Sequence, residues 1–163
     1  MLGTLHLILA ITALLTGAAV ACRPKGDQRH RTLGYIYSAS LLLVNLSALS
    51  VYEESGDPGV FHILALVSLV TLISGLIPAL LRRPANSWLN LHAYFMSWSY
   101  AGLVAAGVAQ IATMAVNLPP WFTVGLPSIV VVIIGGILIH TGVPRALLAT
   151  VSSRSFEQAG EIE

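Results

Sequence analysis

The sequence predicts an all-α fold, a polytopic transmembrane bundle of about five antiparallel helices, and three observations carry that prediction. Of 163 residues, 56% are hydrophobic and only 9% charged, where a soluble domain carries roughly a quarter charged residues. The apolar residues are gathered into five long stretches, and of the eight Lys and Arg six fall in or beside alternate breaks between them and two at or beyond the end of the last. A helical span needs ~20 apolar residues, so five spans with their connections use up these 163 residues and leave none for a soluble catalytic domain.

The stretches run Leu2–Ala21, Leu33–Val51, Val60–Leu81, Leu89–Val116 and Phe122–Leu147. Each is long enough to cross a bilayer as a helix. The breaks are Arg23–Arg29, Glu53–Gly59, Arg82–Asn86 and Asn117–Pro120, all rich in turn-forming or helix-stopping residues. Breaks this short make consecutive helices antiparallel neighbours. In the fifth stretch Pro127 lies near the start and Gly135-Gly136 in the interior, which predicts a kink or a late beginning. The first stretch has no basic start and its charges follow the apolar run, so it is expected to stay as a helix rather than be cleaved. Residues 1–151 are thus read as the transmembrane domain and 152–163 as a polar cytoplasmic tail.

Orientation follows from charge. Arg23, Lys25, Arg29 and Arg31 lie at the first break, Arg82 and Arg83 at the third, and Arg145 and Arg154 at and beyond the end of the fifth stretch, while Glu53, Glu54 and Asp57 occupy the second. The positive-inside rule then predicts an outer N-terminus and a cytoplasmic C-terminus in the inner membrane of a bacterium. Tyr52 and Trp121 are expected in the outer aromatic belt, and Tyr35, Tyr37 and Trp88 in the inner one. The partner that composition demands is the lipid bilayer. A net charge of +1 with basic residues scattered between apolar runs excludes a nucleic-acid surface. The single Cys22 excludes an internal disulfide and a multi-cysteine metal site.

No phosphate loop, dinucleotide fingerprint, zincin pair or nucleophile elbow occurs, and no acidic residue lies inside a span, which argues against a transporter built on a buried carboxylate. The ionisable groups that remain are His6, His30, His62, His92 and His140, one per helix or helix end. At ~1.5 Å rise per residue, His6 and His62 share a depth at the outer side and His30 and His92 share one at the cytoplasmic side. In an up-down bundle helices 1 and 3 oppose each other, as do 2 and 4, so each pair can supply both axial ligands of a haem b. The face four, seven and eleven residues on from His6 carries Ala10, Ala13 and Gly17, small side chains that leave space for a macrocycle or for close helix packing. From His92 the same face carries Met96, Ser99, Leu103 and Gln110, and Asn45, Ser47, Ser68, Ser74 and Ser97 are candidates for interhelical hydrogen bonds. The expected function is a small redox protein that binds haem or a metal through histidines and passes electrons across the membrane. One alternative is a non-catalytic subunit that binds no cofactor and docks onto other membrane protein subunits. A second gathers His30, His92 and His140 around one Zn or Cu near the cytoplasmic face.

The ordered segments His30-Arg31-Thr32-Leu33-Gly34-Tyr35-Ile36-Tyr37, Phe61-His62-Ile63-Leu64-Ala65 and Leu91-His92-Ala93-Tyr94-Phe95-Met96-Ser97-Trp98-Ser99-Tyr100 resemble the domain-of-unknown-function 2306 family of bacterial membrane proteins. The resemblance covers about Arg29 to Thr113. It implies a multi-helix membrane fold and points to His30, His62 and His92 without giving them a role.

Overall fold

The computed structural model describes the backbone of residues 2–50 and 59–160 and the side chains of residues 3–50 and 59–148. The second break, with Tyr52, Glu53, Glu54 and Asp57, lies outside the described residues. Five helices long and apolar enough to cross a membrane are present, and the described backbone contains no strand. They are α1 (Leu2–Ala21), α2 (Gln28–Leu49), α3 (Val60–Leu81), α4 (Trp88–Ala115) and α5 (Leu126–Gly160), the last preceded by a π-helical turn at Trp121–Gly125.

The chain folds as a four-helix bundle with a fifth helix outside it. α1 packs on α2, α2 on α3, α3 on α4, and α4 closes the ring on α1, while α5 and the π turn lie against α4. Each helix of the ring sends a residue to the centre: Ala13 from α1, Tyr37 and Leu41 from α2, Leu72 from α3 and Leu103 from α4, with Leu14, Met96 and Tyr100 packed around them. A second cluster, Ala101, Ile139 and Val143 with Ala93, Tyr94, Trp98 and Leu147, binds α5 to α4. The outward faces are apolar. Leu15, Ile63, Val70, Ile111, Ile129 and Leu138 are more than half exposed, an arrangement water penalises and lipid does not.

Two helices, α2 and α5, depart from the sequence expectation by more than one residue. α2 begins at Gln28, five residues before Leu33, because Asp27 caps it: its carboxylate accepts the His30 backbone N–H at 2.7 Å. His30 therefore stands in the first turn of α2 rather than ahead of it. α5 enters through the π turn and then runs unbroken through Gly135-Gly136 and Pro144 to Gly160, beyond the apolar stretch that ends at Leu147. α3 ends on Arg82 in the left-handed conformation (φ 51°), a helix stop in the position glycine usually takes.

The polar end of the bundle between α1 and α2 is tied by Lys25, whose ammonium donates to the Val20 and Ala21 carbonyls at 2.7 and 2.8 Å, satisfying acceptors that the end of α1 leaves open. With Arg23, Arg29, Arg31, Arg82 and Arg83 it makes this the basic end of the molecule.

Candidate functional site

The two histidines at the basic end come together. His30 on α2 and His92 on α4 face each other across the bundle with ring centroids 6.5 Å apart and planes at 82°. His92 is half-buried and its Nδ1 lies 3.0 Å from the carbonyl oxygen of Gly75 on α3. A carbonyl only accepts, so Nδ1 carries the proton and the neutral ring keeps its lone pair on Nε2. That contact depends on Gly75 having no side chain. A Cβ there would stand 2.9 Å from the backbone nitrogen and the Cγ of Met96, so the glycine lets α4 approach α3 closely enough for His92 to reach the carbonyl. The Nδ1 of His30 is buried with no hydrogen-bond partner among the described residues, and Lys25, Asp27, Arg31 and His92 are the charged or titratable groups around it. One turn inward, the place a Gly34 Cβ would occupy has no heavy atom within 4 Å, which leaves room beside His30.

Inward of the pair α2 and α4 are joined through the centre. The Tyr37 hydroxyl lies 2.8 Å from Ser99 Oγ, and Ser99 Oγ donates to the Met96 carbonyl at 2.8 Å, so the tyrosine is the donor in a bond that joins α2 to α4 through the centre. Tyr100 packs edge-on to Tyr37, its centroid 6.2 Å away, and donates to the Leu14 carbonyl at 3.3 Å. The small strip on α1 serves these rings. A Cβ on Gly17 would lie 2.5 Å from Tyr100 and 3.0 Å from Tyr37, so the space left by Ala13 and Gly17 is filled by tyrosines and not by a macrocycle. Tyr37 accordingly leaves the interfacial belt for the core, at 2% exposure, whereas Tyr35 stays outside at 61%. At the far end Trp121, 66% exposed, stacks on Phe122.

The other histidines have separate surroundings. His6 Nδ1 lies 2.7 Å from Ser47 Oγ on α2, and since that hydroxyl donates to the Val44 carbonyl, the imidazole donates to it. His62 turns back on its own helix start: its Nδ1 accepts the Gly59 N–H at 3.1 Å while its backbone N–H donates to the Gly59 carbonyl at 3.0 Å. No ring contact between His6 and His62 occurs among the described residues, and α1 and α3 are diagonal in the ring. His140 is exposed on α5 and stands 5.9 Å from the Tyr94 ring on the outer side of α4. Tyr94 is two residues on from His92, about 200° around the helix, so His140 and the inner pair meet opposite faces of α4. No group of three His, Cys, Asp or Glu side chains placed to hold a metal ion occurs among the described residues.

The polar residues read from sequence divide in the same way. Ser47 makes an interhelical bond, Ser97 bonds the Ala93 carbonyl of its own helix at 2.7 Å, and Gln110 is exposed rather than continuing the inward face of His92. The Tyr37–Ser99 link and the His92–Gly75 contact were not readable from spacing. The signal that existed for them was a glycine on α3 level with a histidine on α4, and a tyrosine two turns inward of His30.

The family model for predicted membrane proteins (DUF2306) matches residues 3–148. The chain belongs to that family. No curated protein and no solved structure matches the chain. The DUF2306 match takes in all five spans and His6, His30, His62, His92 and His140, well beyond the segment Arg29–Thr113 on which the sequence resemblance stood.

Proposed function

We propose that the His30–His92 pair is the functional centre of this multi-pass membrane protein and that its two imidazoles would hold a haem b. The observation that carries the reading is the spacing of two imidazoles with no third donor among the described residues. A metal held at ~2 Å by a nitrogen of each ring would need the two ring centres about 6 Å apart. The rings of His30 and His92 stand 6.5 Å apart, near that spacing. Zn or Cu also needs further protein ligands, and His140 points to the other side of α4. Haem iron brings four donors in its macrocycle and asks the protein for two.

The residues present fit that demand. Gly75 holds the His92 ring by its Nδ1 proton, which fixes the tautomer and orients Nε2, the usual support for a ligating histidine. Asp27 fixes the turn that carries His30, whose buried Nδ1 awaits a partner. Lys25 and Arg31 place positive charge where an anionic group would sit. Bound haem iron supplies one-electron redox chemistry. A single centre at one end supports electron exchange at that end, and the outer His6–His62 pairing that a path across the bilayer needs is not favoured by the separate bonds those residues make.

The orientation that accompanies this reading puts the basic end in the bacterial cytoplasm. Titrating haemin into the purified protein tests the site. Wild type and His6→Ala should bind alike, and His30→Ala and His92→Ala should each lose at least about tenfold in affinity. Equal binding by all four proteins would remove the assignment.

A second reading rests on α5. Trp98, Ile133, Gly136, Ile137, His140 and Thr141 line an open groove on the lipid side, and an exposed imidazole within a span favours a polar partner there. A docking subunit would cover it. Copurification of a partner lost on His140→Leu would support this reading.

A further inference from the structure

Serines inside membrane helices ordinarily spend their hydroxyls on their own helix, and four here do so: Ser47, Ser50, Ser97 and Ser99 donate to carbonyls three or four residues back. Four other hydroxyl or amide side chains do not, Ser128 on α5 and three in the ring of four helices. Ser38 (5% exposed), Asn45 (3%) and Ser68 (7%) have Oγ, Nδ2 and Oγ atoms sealed from the surface without a hydrogen-bond partner among the described residues. Each such group in a bilayer costs free energy unless something polar meets it, and water is the smallest molecule that does.

Their placement is ordered. On α2, Tyr37, Leu41 and Val44 face the centre, and Ser47 marks the flank towards α1 through His6. Ser38 and Asn45, seven residues apart, occupy the opposite flank, towards α3. Ser68 belongs to the buried face of α3 with Ala65 and Leu72. From the basic end, Ser38 lies ten residues into α2, Ser68 thirteen residues from the end of α3, and Asn45 seventeen residues into α2, depths of ~15, ~20 and ~25 Å. The Tyr37–Ser99 bond lies level with Ser38, and buried His62 in the first turn of α3 continues the series beyond Asn45. Hydroxyl, amide and imidazole groups thus stand at successive depths around an interior otherwise filled by Leu41, Leu72 and Leu103.

The geometry points to a hydrated proton path through the bundle interior beside α3, running from the Tyr37–Ser99 link past Ser38, Ser68 and Asn45 to His62. Water molecules bridging these groups pass a proton by exchanging hydrogen bonds for covalent O–H bonds, each oxygen releasing one proton as it gains another. The leucine layer keeps the file narrow, so the flux is that of a proton wire and not of a water pore. The path's inner end lies inward of His30 and His92, so protons reach it past that pair, and the test is read on protein without haem.

The test uses the full-length protein in liposomes enclosing a pH-sensitive dye, with a potassium gradient and valinomycin so that each entering proton is balanced by a departing potassium ion. Wild type should acidify the lumen several-fold faster than protein-free liposomes. Asn45→Leu should lose most of that flux, Ser38→Ala and Ser68→Ala should each reduce it several-fold, and Ser97→Ala should leave it unchanged. Ser38→Ala and Ser68→Ala remove one oxygen each and carry the test if Asn45→Leu does not fold. Wild-type flux no greater than that of protein-free liposomes overturns the proposal, and so does flux equal in wild type, Ser38→Ala and Ser68→Ala.

Discussion

At Gly75 a missing side chain decides two things at once, the distance between α3 and α4 and the hold on His92. A methyl group there meets the Met96 backbone, which cannot swing aside as a side-chain end can. Gly75→Ala is therefore expected to cost about 1–3 kcal/mol of stability and to release His92 from its carbonyl, lowering haemin affinity by about tenfold. Thermal unfolding in detergent and haemin titration read the two effects, and unchanged affinity would separate the contact from the site. Tyr37→Phe is milder. It removes the donor of the α2–α4 link yet leaves Ser99 bonded to Met96, so the expected loss is about 0.6–2 kcal/mol with the inner pair intact. These contacts were hidden from the sequence because spacing along a helix gives the face a residue occupies and not the groove in the neighbouring helix that it meets. His140 shows the same gap, since its depth was estimable from the sequence while its direction around α4 was not.

Helices were legible where a strong stop signal stood at each end. α1 and α3 match their apolar runs at Leu2–Ala21 and Val60–Leu81, because Arg23-Pro24 and Gly59 leave little choice of boundary. α2 was read too short, since Gln28, Arg29, His30 and Arg31 are polar and lay outside the apolar run, and the cap at Asp27 outweighed their polarity. That cap makes a prediction at the scale of the element. Asp27→Ala should cost about 0.5–2 kcal/mol and fray the first turn of α2, seen as faster amide exchange at His30 and Arg31 with the rest of α2 unaffected. The small strip on α1 had two readings in sequence, room for a macrocycle or close packing, and Tyr100 and Tyr37 against Gly17 settle it for packing.

For the whole molecule, five spans and their antiparallel order followed from hydrophobicity alone, because lipid forces every backbone polar group into helices. The arrangement of four helices in a ring with α5 outside did not. Lipid-facing and partner-facing surfaces are equally apolar, so composition cannot tell a peripheral helix from a central one. Orientation is testable with the native chain, since its single cysteine, Cys22, is exposed at the basic end of α1. A membrane-impermeant maleimide should label Cys22 only after cells are permeabilised, and labelling of intact cells would reverse the topology.

The central claim, a haem held between His30 and His92, is met most directly by the reduced visible spectrum of the protein purified from membranes of cells supplied with iron. A Soret band with sharp α-bands, matched by about one iron per chain and absent from His92→Ala protein of equal helical content, is the predicted result. A wild-type spectrum without these bands, or identical bands in wild type and His92→Ala, would contradict it.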